Sequence, residues 1–167
     1  AQTIDPYYSG SYASVTLGSA PGVPFPYGGL CLKYDDPNTL LASGEACRNG
    51  AAYAIGVTRD SNQHITGFSG VAQLYAEQPS IDGGLNFGPN NVLFGGQYFG
   101  GIMETKVGST EPDKTLNLGI PNPSGCTFVP AGFWNEGHLK VSTYAQGQFY
   151  DIELTPDGQG TYDSLHC

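Results

Sequence analysis

The residues of this sequence best suited to binding chemistry are one aspartate and a set of aromatic and polar side chains beside turns. Asp82 stands directly before Gly83 and Gly84, and a carboxylate there is suited to hold a cation or a sugar hydroxyl. Aromatic rings flanked by polar donors suit carbohydrate, and a Trp near a His ahead of a strand suits a carbohydrate or copper contact. These criteria select the candidate ligand-binding residues Asp82, Tyr98, Phe99, Trp134, Asn135 and His138.

Several of the polar and aromatic residues also have a purely structural interpretation. Trp134 beside a turn fits a partly buried aromatic, and Asp35 with Asp36 ahead of Pro37 fits side chains that cap a tight turn. A calcium site at the two aspartates is the alternative, although the spacing of an EF-hand loop is absent. His64 falls in a polar hairpin turn and is expected to be solvated. No cofactor is predicted, and calcium and copper are the metals left open.

Catalytic motifs are weak in this sequence. It contains no Gly-x-Ser-x-Gly elbow, and its Gly-rich segments, such as Gly95-Gly96 and Gly100-Gly101, do not precede helices as a phosphate loop would. The histidines form no His-x-His or His-x-x-x-His pair of the kind that binds zinc. An enzyme is therefore the less favoured reading, and no catalytic residue is assigned.

The composition favours an acidic, exported protein. The chain has 167 residues and a net charge of −9, so it lacks the basic patch that nucleic acid or an anionic membrane surface requires. No stretch approaches the length of a transmembrane helix. The start Ala1-Gln2-Thr3 is what cleavage after a signal peptide would leave, so we expect a secreted, extracellular or cell-surface location.

The four cysteines are expected to form two disulfides rather than a metal site. No Cys-x-x-Cys pair occurs, and no His lies near Cys31 or Cys47 in the sequence. Three connectivities are open, and we favour Cys31 with Cys47 and Cys126 with Cys167.

The elements that must position these residues are predicted to be short β-strands. The sequence has 25 Gly, 12 Pro, 11 Tyr and 8 Phe, a composition typical of strands and tight turns, and it shows no apolar stripe at helical spacing over three turns. One all-β domain is the prediction.

A repeated pattern organises this domain. Each copy is a Gly-led apolar strand, a turn rich in Pro, Asn, Asp or Gly, and further apolar strands; the copies begin near Gly29, Gly84 and Gly125. Four-stranded units at this spacing are typical of antiparallel propeller blades. We assign an N-terminal strand and Pro-rich connector to 1–26 and a blade-repeat domain to 27–167, divided into 27–81, 82–123 and 124–167. Near the central channel of a propeller, Asp82 would enter an innermost strand.

The number of repeats predicts an incomplete ring. Three blades fall short of the usual minimum of about four, and the alternating segment from Tyr12 to Leu17 is a predicted strand with no hairpin partner. The chain is therefore expected to dimerise as a half-ring, to close through its N-terminal strand, or to donate that strand to a neighbouring subunit in a fibre.

The turn motifs carry a resemblance to a known family. They are Tyr27-Gly28-Gly29-Leu30, Asp36-Pro37-Asn38-Thr39-Leu40-Leu41, Thr58-Arg59-Asp60, His64-Ile65-Thr66-Gly67-Phe68-Ser69-Gly70, Ile81-Asp82-Gly83-Gly84-Leu85, Gly108-Ser109-Thr110, Phe128-Val129-Pro130-Ala131-Gly132-Phe133 and Thr155-Pro156-Asp157-Gly158. Over about 18–163 the chain resembles the propeller-like repeat region of exported bacterial proteins, many of which carry a PEP-CTERM sorting tail. The resemblance implies an extracellular location and no defined chemistry. The cysteines and the lack of a sorting tail differ from that family and favour a self-contained, disulfide-stapled form.

The function expected from these patterns is that of an extracellular structural or interaction protein. It would self-assemble into a fibre or close as a homo-oligomer. One alternative is a carbohydrate- or metal-binding surface module. The other is a propeller-type hydrolase or sugar oxidase, because the segment from Asp82 to Asn90 resembles the inner-strand phrase of such propellers.

Overall fold

The protein is built entirely from antiparallel β-sheet. The computed structural model describes residues 3–120, 123–144 and 146–165. Within these ranges the chain forms twelve strands and one short 3₁₀ turn, Pro89–Asn91, arranged as three four-stranded sheets that follow one another along the chain. None of the sheets is closed on itself. The predicted all-β fold of propeller-like blades is confirmed.

The three sheets, here called blades 1 to 3, each run through four consecutive strands. Blade 1 contains β1 (Leu30–Lys33), β2 (Asp36–Gly44), β3 (Ala51–Arg59) and β4 (Ile65–Glu77). Blade 2 contains β5 (Ile81–Phe87), β6 (Leu93–Gln97), β7 (Gly101–Thr105) and β8 (Lys114–Asn117). Blade 3 contains β9 (Pro123–Phe128), β10 (Leu139–Thr143), β11 (Phe149–Pro156) and β12 (Tyr162–Leu165).

Alternating side chains and capped turns explain why these segments form strands. In β10, Leu139 and Val141 are fully buried whereas Lys140 is half-buried, as expected of a strand with one face in the core. At the turn into β2, the Asp36 carboxylate accepts hydrogen bonds from the Asn38 amide at 2.9 Å and the Thr39 hydroxyl at 2.7 Å. The structural interpretation of Asp36 as a turn cap is confirmed.

The blades stack through their first strands, with β5 lying against both β1 and β9. Glycine makes this approach feasible. A Cβ placed on Gly29 would lie 2.1 Å from the Gly83 carbonyl oxygen, and one placed on Gly83 would lie 1.3 Å from the Ser124 carbonyl oxygen. The Gly-Gly pairs of the first two repeats, Gly28-Gly29 and Gly83-Gly84, are therefore required because the backbones of neighbouring blades pass within contact of each other.

Two hydrophobic cores hold the blades together. The first lies between blades 1 and 2 and contains Leu41, Ala52, Ile81, Leu85, Leu93 and Met103. The second lies between blades 2 and 3 and is the larger; it includes Phe94, Ile102, Leu116, Leu139, Val141 and Ile152. Blade 2 thus buries both of its faces against neighbouring blades, and blades 1 and 3 each bury one face in this way.

The N-terminal segment corrects one prediction, because Tyr12 to Leu17 does not form a strand. Tyr12 and Val15 are 67% and 71% exposed. The segment behind it packs Ala20 and Val23 onto blade 1, and the Ala72 amide donates to the Pro21 carbonyl at 2.8 Å. An alternating pattern becomes a strand only when a partner edge supplies a ladder, and the described residues supply none here.

The cysteines correct a second prediction, since the Cys31–Cys47 disulfide is not formed. Both are free thiols. Cys31 packs into the core between blades 1 and 2, while the Cys47 thiol donates to Asp82 Oδ1 at 2.9 Å. Cys126 is also a free thiol, buried between blades 2 and 3, and its expected partner Cys167 lies outside the described residues.

Candidate functional site

Asp82 lies in β5, as its position before the Gly pair predicts. Its one described polar side-chain contact is with the thiol of Cys47. Burial and the neighbouring Asp82 carboxylate together raise the pKa of Cys47 to about 11, so this thiol stays protonated near neutral pH. The pair is a hydrogen-bonded contact between the β2–β3 loop and the first strand of blade 2.

Tyr98 and Phe99 form an aromatic pair on the turn between β6 and β7. Their ring centroids are 5.0 Å apart in an edge-to-face arrangement, and Phe99 is 79% exposed. The turn therefore presents an aromatic surface to solvent, on a blade different from that of Trp134.

Trp134 stands on the β9–β10 loop and is 84% exposed, so the expectation that it is partly buried is wrong. The loop beneath it is held by its own backbone: the Val129 amide donates to the His138 carbonyl and the Gly137 amide to the Val129 carbonyl, both at 3.0 Å. Neighbouring Phe133 is 68% exposed. This loop presents two aromatic rings on a hydrogen-bonded base.

Asn135 and His138 are brought together by Asp151 of β11, a residue that no sequence motif singles out. The Asp151 carboxylate accepts from the Asn135 amide, and it lies 2.8 Å from His138 Nδ1 and 2.7 Å from Lys140 Nζ. The hydrogen bond from Lys140, assisted by those from Asn135 and His138, lowers the pKa of Asp151 to about 2. This cluster is a neutralised polar network that fixes the loop carrying Trp134.

The predicted ligand-binding residues do not converge on one pocket. Asp82 belongs to β5, the Tyr98 and Phe99 pair to the β6–β7 turn, and the remaining three to the β9–β10 loop. Among the described residues no group of three or more His, Cys, Asp or Glu side chains is placed to hold a metal ion. The described residues also contain no helix that could span a lipid bilayer.

The two ends of the blade stack form a different kind of candidate site. We call the side of a blade that faces the following blade its front face, and the opposite side its back face. Gly29 and Gly84 point forward, since a Cβ on either would meet the backbone of the next blade. Leu85 packs in the core between blades 1 and 2, and Cys126 packs in the core between blades 2 and 3, so both face the preceding blade. Leu30 follows Gly29 as they follow Gly84 and Gly125, and it holds the equivalent back-face position in β1.

These equivalent positions differ sharply in exposure. Leu85 and Cys126 are 3% and 8% exposed, because the preceding blade covers them. Leu30 is 66% exposed, and Leu32 on the same face is 42% exposed. The back face of blade 1 thus keeps the apolar character of an internal interface without the blade that would cover it.

The N-terminal segment covers only part of this back face. Ala20 and Val23 pack on Ile55 and Ala72, toward the outer strands β3 and β4. Closer to β1, a cleft of about 250 Å³ lies between this segment and the blade, and it is lined by Leu17, Gly18, Ala20, Tyr27, Gly28, Gly29, Leu30, Leu40, Ala42 and Phe68. The uncovered part of the back face is therefore the side formed by β1, the first strand of blade 1.

The front face of blade 3 is the other open end. On the second strand of each blade, one front-face residue pairs with the first strand. It is the buried Leu41 in blade 1 and the buried Phe94 in blade 2, whereas in blade 3 it is Lys140. A Cβ on Gly125 would meet only Ser142 Oγ, at 2.7 Å. A shallow groove of about 210 Å³ follows, lined by Gly125, Cys126, Thr127, Lys140, Ser142 and Phe149.

Comparison with known proteins finds no match: no family model, no curated protein and no solved structure matches this chain.

Proposed function

We propose that this protein is an extracellular structural module that self-associates by covering the back face of blade 1 with a second copy of the chain. The observation that carries the proposal is the exposure of Leu30, 66%, at a position where Leu85 and Cys126 are buried by a neighbouring blade. The end repeats of an open stack either have a polar outer face or bury their apolar outer face against another molecule. The back face of blade 1 has no polar cap at Leu30 and Leu32.

The apolar surface left open on the back face of blade 1 favours association. Fully burying one leucine side chain contributes about 1.5–3 kcal/mol, and Leu30 and Leu32 adjoin a cleft with further apolar walls at Leu40 and Phe68. Contiguous exposed apolar surface of this kind is typical of interaction sites. The extracellular setting is supported by the resemblance of the turn motifs to exported bacterial repeat proteins.

The experiment that tests the proposal is light scattering with negative-stain imaging on the wild-type protein and Leu30→Asp. Wild type is expected to form oligomers or filaments, and the charge at position 30 is expected to leave monomers. Val107→Asp is the matched control, because Val107 is an exposed valine, 53%, on the β7–β8 turn of blade 2. A Leu30→Asp protein that assembles like wild type would overturn the proposal.

A second candidate function is carbohydrate recognition at the β9–β10 loop. It is favoured by the exposure of Trp134, 84%, on a loop fixed by hydrogen bonds, since exposed aromatic rings on a rigid base suit the apolar faces of sugars. Trp134 is the single Trp of the chain, so its intrinsic fluorescence reports the loop directly. A glycan array followed by fluorescence titration with the soluble sugars it selects tests this function. A blank array and an unchanged spectrum would remove it.

A further inference from the structure

The chain repeats one blade interface twice, and its two open ends match the two halves of that interface. On the front of each inner strand a glycine admits the backbone of the next blade: Gly29 meets Gly83 and Gly84 meets Cys126. On the back of each following strand an apolar residue is buried, Leu85 in β5 and Cys126 in β9.

At the ends these features recur without partners in the described chain. Gly125 of β9 holds the position of Gly29 and Gly84, yet a Cβ there would meet no backbone of another blade, only Ser142 Oγ. Leu30 of β1 holds the position of Leu85 and is exposed. From this continuity, and resting on the proposed self-association, we infer that copies join head to tail, with β9 of one copy packing against β1 of the next.

The groove beside Gly125 has the chemistry to receive Leu30 and Leu32. Phe149 is 71% exposed at its edge, and Lys140 Nζ lies 6.0 Å from the centre of the Phe149 ring. The methylene stem of Lys140 is suited to cover apolar surface while its ammonium group stays with Asp151. Phe149 and the Lys140 stem can therefore make an apolar contact with Leu30 and Leu32 of a second copy.

The ion pair of Lys140 and Asp151 on the front face of blade 3 does not prevent a second copy from covering that face. Asp151 is already bonded to Lys140, His138 and Asn135, so covering the face leaves no unpaired carboxylate. The equivalent position in blade 2 is Glu104, which is fully buried at an existing blade interface and accepts a hydrogen bond from the Tyr162 amide of blade 3. A carboxylate at this position is therefore compatible with a covering blade.

Gly125→Val tests the head-to-tail arrangement, because it fills the space that β1 of the next copy would enter. Within one chain the new side chain meets only Ser142 Oγ, which can rotate away. Gly67→Val is the matched control, since Gly67 lies in an outer strand and its Cβ would likewise meet a single hydroxyl, Thr58 Oγ1 at 3.1 Å. We expect Gly125→Val to weaken association about tenfold or more and Gly67→Val to leave it unchanged. Circular dichroism confirms folding of each variant, and Gly125→Ala is the milder substitute if the valine variant unfolds.

Mixing variants separates this inference from the function it rests on. Leu30→Asp protein keeps an intact blade 3 front face, and Gly125→Val protein keeps an intact blade 1 back face. Head-to-tail joining predicts that each alone is impaired while an equimolar mixture forms a discrete one-to-one dimer in native mass spectrometry. If Leu30→Asp is monomeric but Gly125→Val assembles like wild type and no mixed dimer forms, copies meet back to back and the head-to-tail inference is wrong. Monomeric wild type would overturn the self-association itself.

Discussion

Glu104 of β7 and Tyr162 of β12 are joined across the interface of blades 2 and 3, where Glu104 Oε2 accepts a hydrogen bond from the Tyr162 amide at 2.8 Å. Glu104 is fully buried, and among the described residues its Oε1 has no partner. Burial raises the pKa of Glu104 from 4.5 to about 7 against the opposing effects of that hydrogen bond and of Lys114. This interface therefore contains a carboxyl group that stays protonated at pH values where a solvated glutamate is ionised.

The first prediction concerns the pH dependence of stability. Because the folded state holds the Glu104 proton more tightly than the unfolded state, its contribution is fully present below pH 4.5 and is lost as pH rises toward about 7. The free energy of unfolding of wild type, measured by urea denaturation, is expected to fall by about 3 kcal/mol across that pH window because of this group. Glu104→Gln keeps an acceptor for the Tyr162 amide and removes the titration, so its stability should not fall there. Parallel curves for the two proteins would contradict the assignment.

The second prediction concerns the ion pairs that close the outer edge of the same interface. Lys114 Nζ of β8 lies 2.8 Å from Asp157 and 2.7 Å from Asp163, both in blade 3. Lys114→Met should lower Tm by a few degrees, because it leaves two carboxylates facing each other without their cation. The control is Lys33→Met, which breaks the pair with Asp35 inside blade 1 and should change Tm much less. Equal Tm values for the two variants would argue against a clamp between blades.

The same ion pairs predict acid sensitivity. The hydrogen bonds from Lys114 and Thr161 hold the pKa of Asp157 well below its usual range. A lowered carboxyl pKa contributes stability that is present above the unfolded value of 3.8 and is lost as pH falls below it. Asp157→Asn should therefore flatten the acid limb of the stability curve while leaving the Glu104 window in place. An unchanged acid limb would contradict this contribution.

The third prediction concerns the close approach of the inner strands. Gly83→Ala places a Cβ 1.3 Å from the Ser124 carbonyl oxygen, so blades 2 and 3 must separate. We expect a loss of about 3 kcal/mol or more in the free energy of unfolding, measured by urea denaturation. Gly67→Ala, where the nearest atom is a hydroxyl at 3.1 Å, should stay close to wild type. Comparable losses in the two variants would show that the approach of β5 and β9 is not the cause.

The fourth prediction concerns the free thiols. Cys47 is exposed, whereas Cys31 and Cys126 are increasingly buried, and burial raises the pKa of each of the latter two to about 12. Alkylation of the native protein, read by peptide mass mapping, should therefore modify Cys47 before Cys31 and Cys126. Asp82→Asn should speed that reaction at mildly alkaline pH, because the carboxylate opposes the thiolate, and Asp35→Asn should not. A linked Cys31–Cys47 peptide in the untreated protein would overturn the free-thiol arrangement.

Local patterns predicted the blades because the determinants of a blade lie close together in sequence. The Gly83-Gly84-Leu85 phrase marks the inner strand, and the turn at Asp157-Gly158 marks the return to the outer strand, so both are visible without a structure. The strand predicted for Tyr12 to Leu17 failed for the complementary reason: its own pattern is adequate, but a strand also needs a partner edge.

Contacts between residues far apart in the sequence were not predictable in the same way. Asp151 binds His138 and Asn135 from 13 and 16 residues away, and Lys114 reaches Asp157 over 43 residues. In the sequence each is one more charged residue at a polar strand position, with no spacing to identify it. The exposure of Leu30 is of the same kind, since only the stack of three blades shows that one of three equivalent positions is left uncovered.

The mass of the wild-type protein in solution, measured by sedimentation velocity at low and near-physiological salt as its concentration is raised, decides whether copies of the chain self-associate. Self-association through the blade faces predicts species above the 17.6 kDa monomer that grow with concentration, and more of them with salt, because copies carrying a net charge of −9 repel each other less when screened. Leu30→Asp should remain at the monomer mass under every condition. A wild-type protein that sediments as a 17.6 kDa monomer under every condition would show that the blade faces do not self-associate.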